Sequence, residues 1–282
     1  MSVSNKAKIR EDAMSLNPMD DALFQKMAEN KDFCQEILQV ILGDKELVVL
    51  SANPQFVVKN LQGRSCMLDA KCQLGNGKIV NIEVQKSDDD DHQRRVRFNV
   101  ALLTANVTDP GSKFKQVPDV IVVFISKFDI FKSKKSLYHV DRVIRETGKI
   151  VDNGFTEIYV NAEIDDNTDV SELMNVFVQD KAYDDAKFPV TSACKRKYKT
   201  TEEGVREMCE IIERNREEGR AEGLAKGLAK GLAKGLAKGR DERQSELIVN
   251  MLKNKLKPEQ IAQIAQMTVE QIVAIGKKAA VL

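Results

Sequence analysis

The chain has 282 residues, of which 42% are hydrophobic and 31% are charged. This length suffices for one α/β domain and a smaller module, because a domain takes about 100–200 residues, and the apolar content excludes a disordered or collagen-like chain. Lysine and arginine number 44 and aspartate and glutamate 43, so net charge alone requires no particular partner. Residues 205–282 carry 15 basic and 11 acidic residues, whereas residues 1–204 carry 29 and 32.

The cysteines and histidines limit the possible chemistry. Five cysteines without a C-x-x-C pair favour a reducing compartment over a disulfide framework or a zinc site. Two histidines are too few for a histidine-based metal site or catalytic triad. The first residues lack the apolar stretch of a signal peptide, and the longest apolar run, 120–125, is far shorter than the roughly 20 residues that span a bilayer. We therefore expect a cytoplasmic protein with no membrane partner.

Hydrophobic periodicity predicts a mixed α/β domain over residues 1–199. Asn17 and Pro18 begin the first predicted helical segment, and Gly43 ends it. The run DVIVVFIS is typical of a strand that is buried on both faces. In chain order we predict two helices within 17–42, strands at 55–60 and 65–85, a helix at 90–107, a strand at 119–126, a hairpin at 138–152, a strand at 156–162 and a helix at 169–180.

A different pattern begins at residue 200. Residues 200–243 predict a charged helix that contains four GLAK repeats, and residues 244–282 predict a small helical module. Each interior glycine costs about 1 kcal/mol relative to alanine, so the repeat is a weak helix unless its leucine side packs on something. Two interpretations stay open: a solvated spacer, or a segment through which the chain forms a homo-oligomer.

The segment MLDAKCQLGNGKIVNIEVQ, residues 67–85, predicts a β-hairpin with one polar face. A three-residue loop that closes Leu74 on Lys78 sets the register, and this register places Asp69 opposite Glu83. Their Cβ atoms would then lie about 5 Å apart, where like charges repel. A hard divalent cation such as Mg²⁺ between the two carboxylates would remove this repulsion. Gln85 follows on the same face, where it could orient a metal-bound water.

An amphipathic hairpin with one solvated face accounts for the same pattern. Both acids would then point into solvent, and Lys71 could neutralise either of them. The pattern by itself leaves a metal site and a solvated face as alternatives.

The chain resembles the recombination-promoting nucleases, the PD-(D/E)XK nuclease family transposases. The resemblance is carried by the hairpin and by five further segments: DDALFQKM at 20–27, QRRVRFN at 93–99, PDVIVVFISKFDIF at 118–131, YHVDRVIRETG at 138–148 and AYDDAKFP at 182–189. It implies a restriction-endonuclease-like fold, a mixed sheet flanked by helices. It also implies a DNA endonuclease of mobile-element type that depends on Mg²⁺, or on Mn²⁺ or Ca²⁺.

The resemblance assigns roles to residues of the hairpin. Asp69 and Glu83 would be metal ligands, together with the main-chain carbonyl of Val84. Gln85 stands where the superfamily usually has lysine, so this position brings no positive charge to the transition state. Asp21 is a candidate for the additional acid from the first helix, although an aspartate in a first helical turn is also explained by the helix dipole.

DNA contacts are expected from two basic segments. Arg95 resembles the phosphate-binding arginine of the helix that follows the E-x-Q strand, and Arg94 and Arg97 are its neighbouring candidates. Further contacts to the DNA backbone could come from Lys195, Arg196 and Lys197. The alternative to an enzyme is a catalytically silent DNA-binding or oligomeric interaction protein that keeps the nuclease fold. The excess of acidic residues in 1–204 favours this alternative.

Overall fold

The computed structural model describes residues 3–60, 63–89 and 91–281. Helices and strands alternate over the first 200 residues, and helices alone follow. The helices are α1 Val3–Ser15, α2 Asp21–Ala28, α3 Lys31–Leu42, α4 His92–Val107, α5 Asp169–Val178, α6 Pro189–Thr200, α7 Glu202–Lys253, α8 Pro258–Ala265 and α9 Val269–Lys278. The strands are β1 Val49–Val58, β2 Cys66–Leu74, β3 Ile79–Gln85, β4 Val120–Ser126, β5 Leu137–Val140 and β6 Phe155–Asn161.

The described strands form one mixed six-stranded sheet in the order β1-β2-β3-β4-β6-β5. The central strands β3, β4 and β6 run parallel, and β1, β2 and β5 pair antiparallel with their neighbours. Every residue of β4 is buried, as its continuous β-branched run predicts.

Helices cover both faces of this sheet. Ile121, Val123 and Ile125 of β4 belong to one hydrophobic cluster, which also contains buried residues of α2, α3, α5 and α6. Val122 and Phe124 point the other way, into a second cluster with residues of α4. The fold class predicted from the sequence, a mixed sheet flanked by helices, is confirmed.

Several predicted boundaries differ from the structure. Helix α2 begins at Asp21 rather than Pro18, because Asn17–Asp20 form a turn in which the main-chain N–H of Asn17 donates to Asp20 Oδ2 at 2.8 Å. Beyond β5, residues 141–150 are exposed, and the hairpin predicted at 138–152 is short: Val143 bridges Ile150, and the Ile144 N–H donates to the Lys149 carbonyl at 2.9 Å. The predicted helix at 90–107 is α4, and Asp90 lies outside the described residues. Helices α1 and α6 were not predicted.

The chain divides into two compact units, Met1–Glu213 and Arg214–Leu282. The first unit extends beyond the predicted boundary at residue 199, because Val205 and Met208 are buried in its core. The second unit has a small core of its own, built from Ile248, Leu252, Ile261, Ala262 and Ile272. Among the described residues, no helix combines the length and apolarity that a membrane span requires. The cytoplasmic location stays a prediction.

Candidate active site

The hairpin of β2 and β3 has the register that the sequence predicts. Lys71 pairs with Asn81 and Cys72 with Val80. The main-chain N–H of Leu74 donates to the carbonyl of Lys78 at 2.9 Å, which closes the three-residue loop. Gly77 in this loop has φ = 85°, a conformation that favours glycine. One further step along the same register sets Asp69 opposite Glu83.

Neighbouring groups hold both carboxyls in place. The main-chain N–H of Val84 donates to Asp69 Oδ2 at 2.8 Å. Two side-chain amides donate to Glu83 Oε1, Asn81 Nδ2 at 2.9 Å and Asn99 Nδ2 at 3.1 Å. Within the described part of the chain, these bonds engage one oxygen of each carboxyl. Asp69 Oδ1 and Glu83 Oε2 are therefore available to a ligand.

Burial decides between the two interpretations of the hairpin. Glu83 is only 6% exposed, because α4 covers this face of β3. Burial raises the pKa of Glu83 to about 8, and the nearby Asp69 adds to this increase. Burial also raises the pKa of Asp69 to about 6, and Asp21 acts in the same direction. The interpretation as a solvated face is therefore wrong for these acids, and Lys71 lies instead over the ring of Phe56, 4.3 Å from its centroid.

The donor set fits a hard divalent cation. Two carboxylates with free oxygens and a main-chain carbonyl at Val84 supply oxygen ligands only, which Mg²⁺ prefers over the nitrogen and sulfur ligands typical of zinc. Residues 3–60, 63–89 and 91–281 contain no cluster of three or more His, Cys, Asp or Glu side chains placed to hold a metal ion. Two carboxylates suffice for Mg²⁺, because it usually keeps several waters and takes further oxygens from substrate phosphate.

Asp21 is close to this pair without completing a three-carboxylate cluster. It lies at the start of α2 and lines the same cavity as Asp69 and Glu83. Burial and the neighbouring Asp20 raise the pKa of its carboxyl. Its effect in the structure is electrostatic, because its charge raises the pKa of Asp69. A direct bond from Asp21 to a metal stays a prediction.

Gln85 and Arg95 form one unit. Arg95 Nη1 donates to Gln85 Oε1 at 2.7 Å, and Gln85 Nε2 donates to the carbonyl of Ser87 at 3.1 Å. The positive charge of Arg95 lowers the pKa of both Asp69 and Glu83, against the larger effect of burial. The guanidinium thus brings to the site a positive charge that Gln85 cannot supply.

The predicted residues separate into two groups in space. A cavity of about 520 Å³ brings together Asp21, Asp69, Glu83, Gln85, Arg94 and Arg95. Arg97 lines a different cavity, together with Thr104 of α4. The basic segment 195–197 belongs to α6 and does not line the 520 Å³ cavity.

The predicted contact of Lys195 with DNA is wrong. Its side chain is fully buried, and its ammonium donates to the carbonyl of Val176 in the last turn of α5 and to those of Gln179 and Ala182 just beyond it. Burial lowers the pKa of this ammonium to about 8. Lys195 therefore satisfies carbonyl groups at a helix end instead of reaching phosphate. On the surface of α6, Arg196 pairs with Asp185 at 2.8 Å, and Lys197 lies over the ring of Tyr198.

The sequence interpretation missed Asn81 and Asn99. Both are buried, and both donate to the same oxygen of Glu83. The signal was present in the sequence. Asn99 lies four residues after Arg95, so the two share a face of α4, and Asn81 lies two residues before Glu83, on the same face of β3.

The sheet between two helical layers, with an acidic pair on its central hairpin, defines a nuclease-type α/β domain. The family model of the PD-(D/E)XK nuclease family transposases matches residues 18–175. The chain belongs to this family, and the resemblance found in the sequence is confirmed. Neither the curated proteins nor the solved structures contain a match to the chain.

Proposed function

We propose that the chain is a DNA endonuclease of mobile-element type that hydrolyses phosphodiester bonds and requires a divalent metal. One observation carries this proposal: the buried Glu83 and the half-buried Asp69 each keep a carboxyl oxygen for a ligand in a cavity that Arg94 and Arg95 also line. The carboxylates can bind a metal ion, and the arginines beside them can bind the phosphate of the DNA backbone. The family supports DNA as the substrate.

Asp69, Glu83 and the Val84 carbonyl would hold Mg²⁺, or Mn²⁺ or Ca²⁺ in its place. Bound there, the metal would polarise the scissile phosphate and lower the pKa of an attacking water. The chain itself fixes the ligands: Asn81 and Asn99 orient Glu83, and the Val84 N–H orients Asp69. Such supporting bonds are typically worth 10- to 100-fold in metal affinity or activity.

Gln85 and Arg95 together would take the role that lysine has in other members of the superfamily. Gln85 Oε1 holds the Arg95 guanidinium at the edge of the cavity. From this position Arg95 would bind a phosphate oxygen and stabilise the charge that develops on it. Gln85 would act on water with its amide only after exchanging one of its present hydrogen bonds.

Nicking of supercoiled plasmid by the full chain, with EDTA, Mg²⁺, Mn²⁺ or Ca²⁺, tests this proposal. We expect nicking with Mg²⁺ or Mn²⁺ and none in EDTA. Asp69→Asn should abolish it, whereas the matched control Glu46→Gln, which alters an exposed carboxylate between α3 and β1, should leave it unchanged. DNA binding without nicking under any metal would favour the silent DNA-binding alternative.

Homo-oligomer formation through the repeats stays a proposal, supported by the exposure of the leucine side of α7. Leu224, Leu228, Leu232 and Leu236 are 56–66% exposed and follow one another at four-residue intervals. Together with the intervening glycines they line an apolar groove on the helix. A second copy of the chain is the proposed partner, since ridges with this spacing fit into the matching grooves of another helix.

A further inference from the structure

Phe114 is the most exposed large hydrophobic side chain of the described residues, at 95% exposure. It lies in a short 3-10 turn, Phe114–Gln116, after α4. The turn is ordered by hydrogen bonds: the Lys113 N–H donates to Gln116 Oε1 at 3.0 Å, and the Val117 N–H donates to the Phe114 carbonyl at 3.2 Å. A fixed turn therefore presents an aromatic ring to solvent, where it contributes nothing to the core.

The surroundings of Phe114 are basic. Lys113 and Lys115 flank it and are exposed. Phe114 and Lys115 line a cavity of about 560 Å³ together with Arg97 and Arg142. Within the described part of the chain, Arg97, Lys113 and Lys115 form no ion pair. The carboxylate of Asp119 also lines this cavity, and it lies 3.8 Å from the ammonium of Lys78, so its charge is already partly balanced.

A second aromatic ring contributes to this surface. The guanidinium of Arg142 lies over the ring of Phe155, 4.5 Å from its centroid. Arg142 Nη1 also donates to Asn153 Oδ1 at 3.5 Å, and the other N–H groups of its guanidinium can bind phosphate. Aromatic rings between unpaired cations are the combination that binds the bases and the backbone of a nucleic acid strand. Apolar side chains, among them Val117 and Pro118, also line this cavity, so binding of a protein partner is the alternative outcome of the test below.

Helix α4 connects this surface to the active site. Arg94 lines the cavity of Asp69 and Glu83, and Arg97 lines the cavity of Phe114. These arginines are three residues apart, so they share a face of the helix. Thr104, two turns after Arg97, also lines the second cavity. From Arg94 to Thr104 the helix rises about 15 Å, which corresponds to four or five nucleotides at about 3.4 Å each.

We propose that Phe114 stacks on a base of the bound DNA strand outside the active site, while Arg97, Lys115 and Arg142 bind the phosphates of the same strand. This inference rests on the proposed function, because it assumes that the strand passes through the active site. It adds a DNA-binding surface along α4 and identifies a base contact that the acidic site lacks.

The test measures DNA affinity by fluorescence anisotropy, on the full chain carrying Asp69→Asn so that the DNA stays intact. Phe114→Ala should weaken binding roughly 5- to 150-fold, the effect of losing one stacked base, and Phe114→Tyr should retain it. Phe114→Leu keeps an apolar side chain without the aromatic ring and should behave like alanine. Because Phe114 is 95% exposed, none of these changes removes packing, and circular dichroism should show an unchanged fold.

Salt titrations examine the cations separately. Arg97→Ala and Lys115→Ala should each reduce the slope of log affinity against log salt by about 1. The matched control Lys45→Ala removes one exposed charge in the loop after α3, whose helix packs on the opposite face of the sheet, and should leave the slope unchanged. A 2-aminopurine probe moved along the bound strand should show one position whose fluorescence responds to Phe114→Ala.

Unchanged affinity of Phe114→Ala, or full affinity of Phe114→Leu, would overturn the inference and assign the surface to a protein partner. Its failure can be told apart from failure of the endonuclease proposal. A chain whose DNA binding depends on Phe114 but that never nicks refutes only the endonuclease. A chain that nicks, with binding insensitive to Phe114, refutes only the stacking.

Discussion

Replacing Glu83 by glutamine should stabilise the metal-free chain. The carboxyl is buried, and its pKa is raised from 4.5 to about 8 by burial and by Asp69. In the unfolded chain the group ionises near pH 4.5, so between pH 4.5 and 8 the folded state holds a proton that the unfolded state has lost. Stability from this group is therefore fully present below pH 4.5 and falls as the pH rises to 8.

The magnitude follows from the width of this window. Each pH unit within it removes about 1.4 kcal/mol from the free energy of unfolding, so raising the pH from 5 to 8 should remove about 4 kcal/mol. Glu83→Gln has no charge to bury, and its amide oxygen can still accept from Asn81 and Asn99. The difference in stability between variant and wild type should therefore grow by about 4 kcal/mol over the same interval.

Tyrosine fluorescence during urea unfolding in EDTA measures this difference. All four tyrosines, Tyr138, Tyr159, Tyr183 and Tyr198, lie in the first unit, and the chain has no tryptophan, so the signal reports that unit alone. Glu46→Gln serves as the control and should follow wild type at each pH. Two results would contradict the raised pKa of the buried Glu83 carboxyl. One is a Glu83→Gln chain that is less stable than wild type at pH 8, and the other is a difference in stability that does not change with pH.

Two further predictions concern Gln85 and the tail. Gln85→Ala should slow nicking by about 10²- to 10⁴-fold. Gln85→Lys should also nick slowly because its ammonium would face Arg95, whereas the double variant Gln85→Lys, Arg95→Gln should recover activity. A fully active Gln85→Lys variant would contradict the contact between Gln85 and Arg95. A chain ending at Glu213 should fold and nick, because it keeps Val205 and Met208 in the core. It should bind DNA with a shallower salt dependence, since residues 214–282 carry 14 basic and 8 acidic residues. If the leucine groove joins two copies, the number of copies per particle measured by light scattering should be lower for this chain than for the full chain. An equal number of copies would argue against that interface.

The hairpin shows what the sequence could predict. Its two-residue alternation and the glycine loop at Gly77 predict the observed register, and one more step along that register places Asp69 opposite Glu83. The same local pattern could not show that α4 covers this face of the sheet. Burial of Glu83 is a tertiary effect, and it excludes a solvated carboxylate at this position.

The basic segments show where sequence reasoning fails. Lys195 looks like a phosphate contact because its neighbours are basic, but three carbonyls at and just beyond the end of α5 accept from its ammonium. Arg95 and Arg97 differ by about 200° around α4 at 100° per residue, so they could not share one cavity. Helical phase was available from the sequence. The position of the second cavity was not, because it depends on the loop that carries Phe114.

Calorimetric titration of Mg²⁺ into the full chain at pH 8 tests the central claim most directly, that Asp69 and Glu83 bind one metal ion together. We expect saturable binding to wild type and to Glu46→Gln, and a loss of more than about tenfold in affinity for Asp69→Asn and for Glu83→Gln. Equal Mg²⁺ affinity in wild type and both site variants would contradict it.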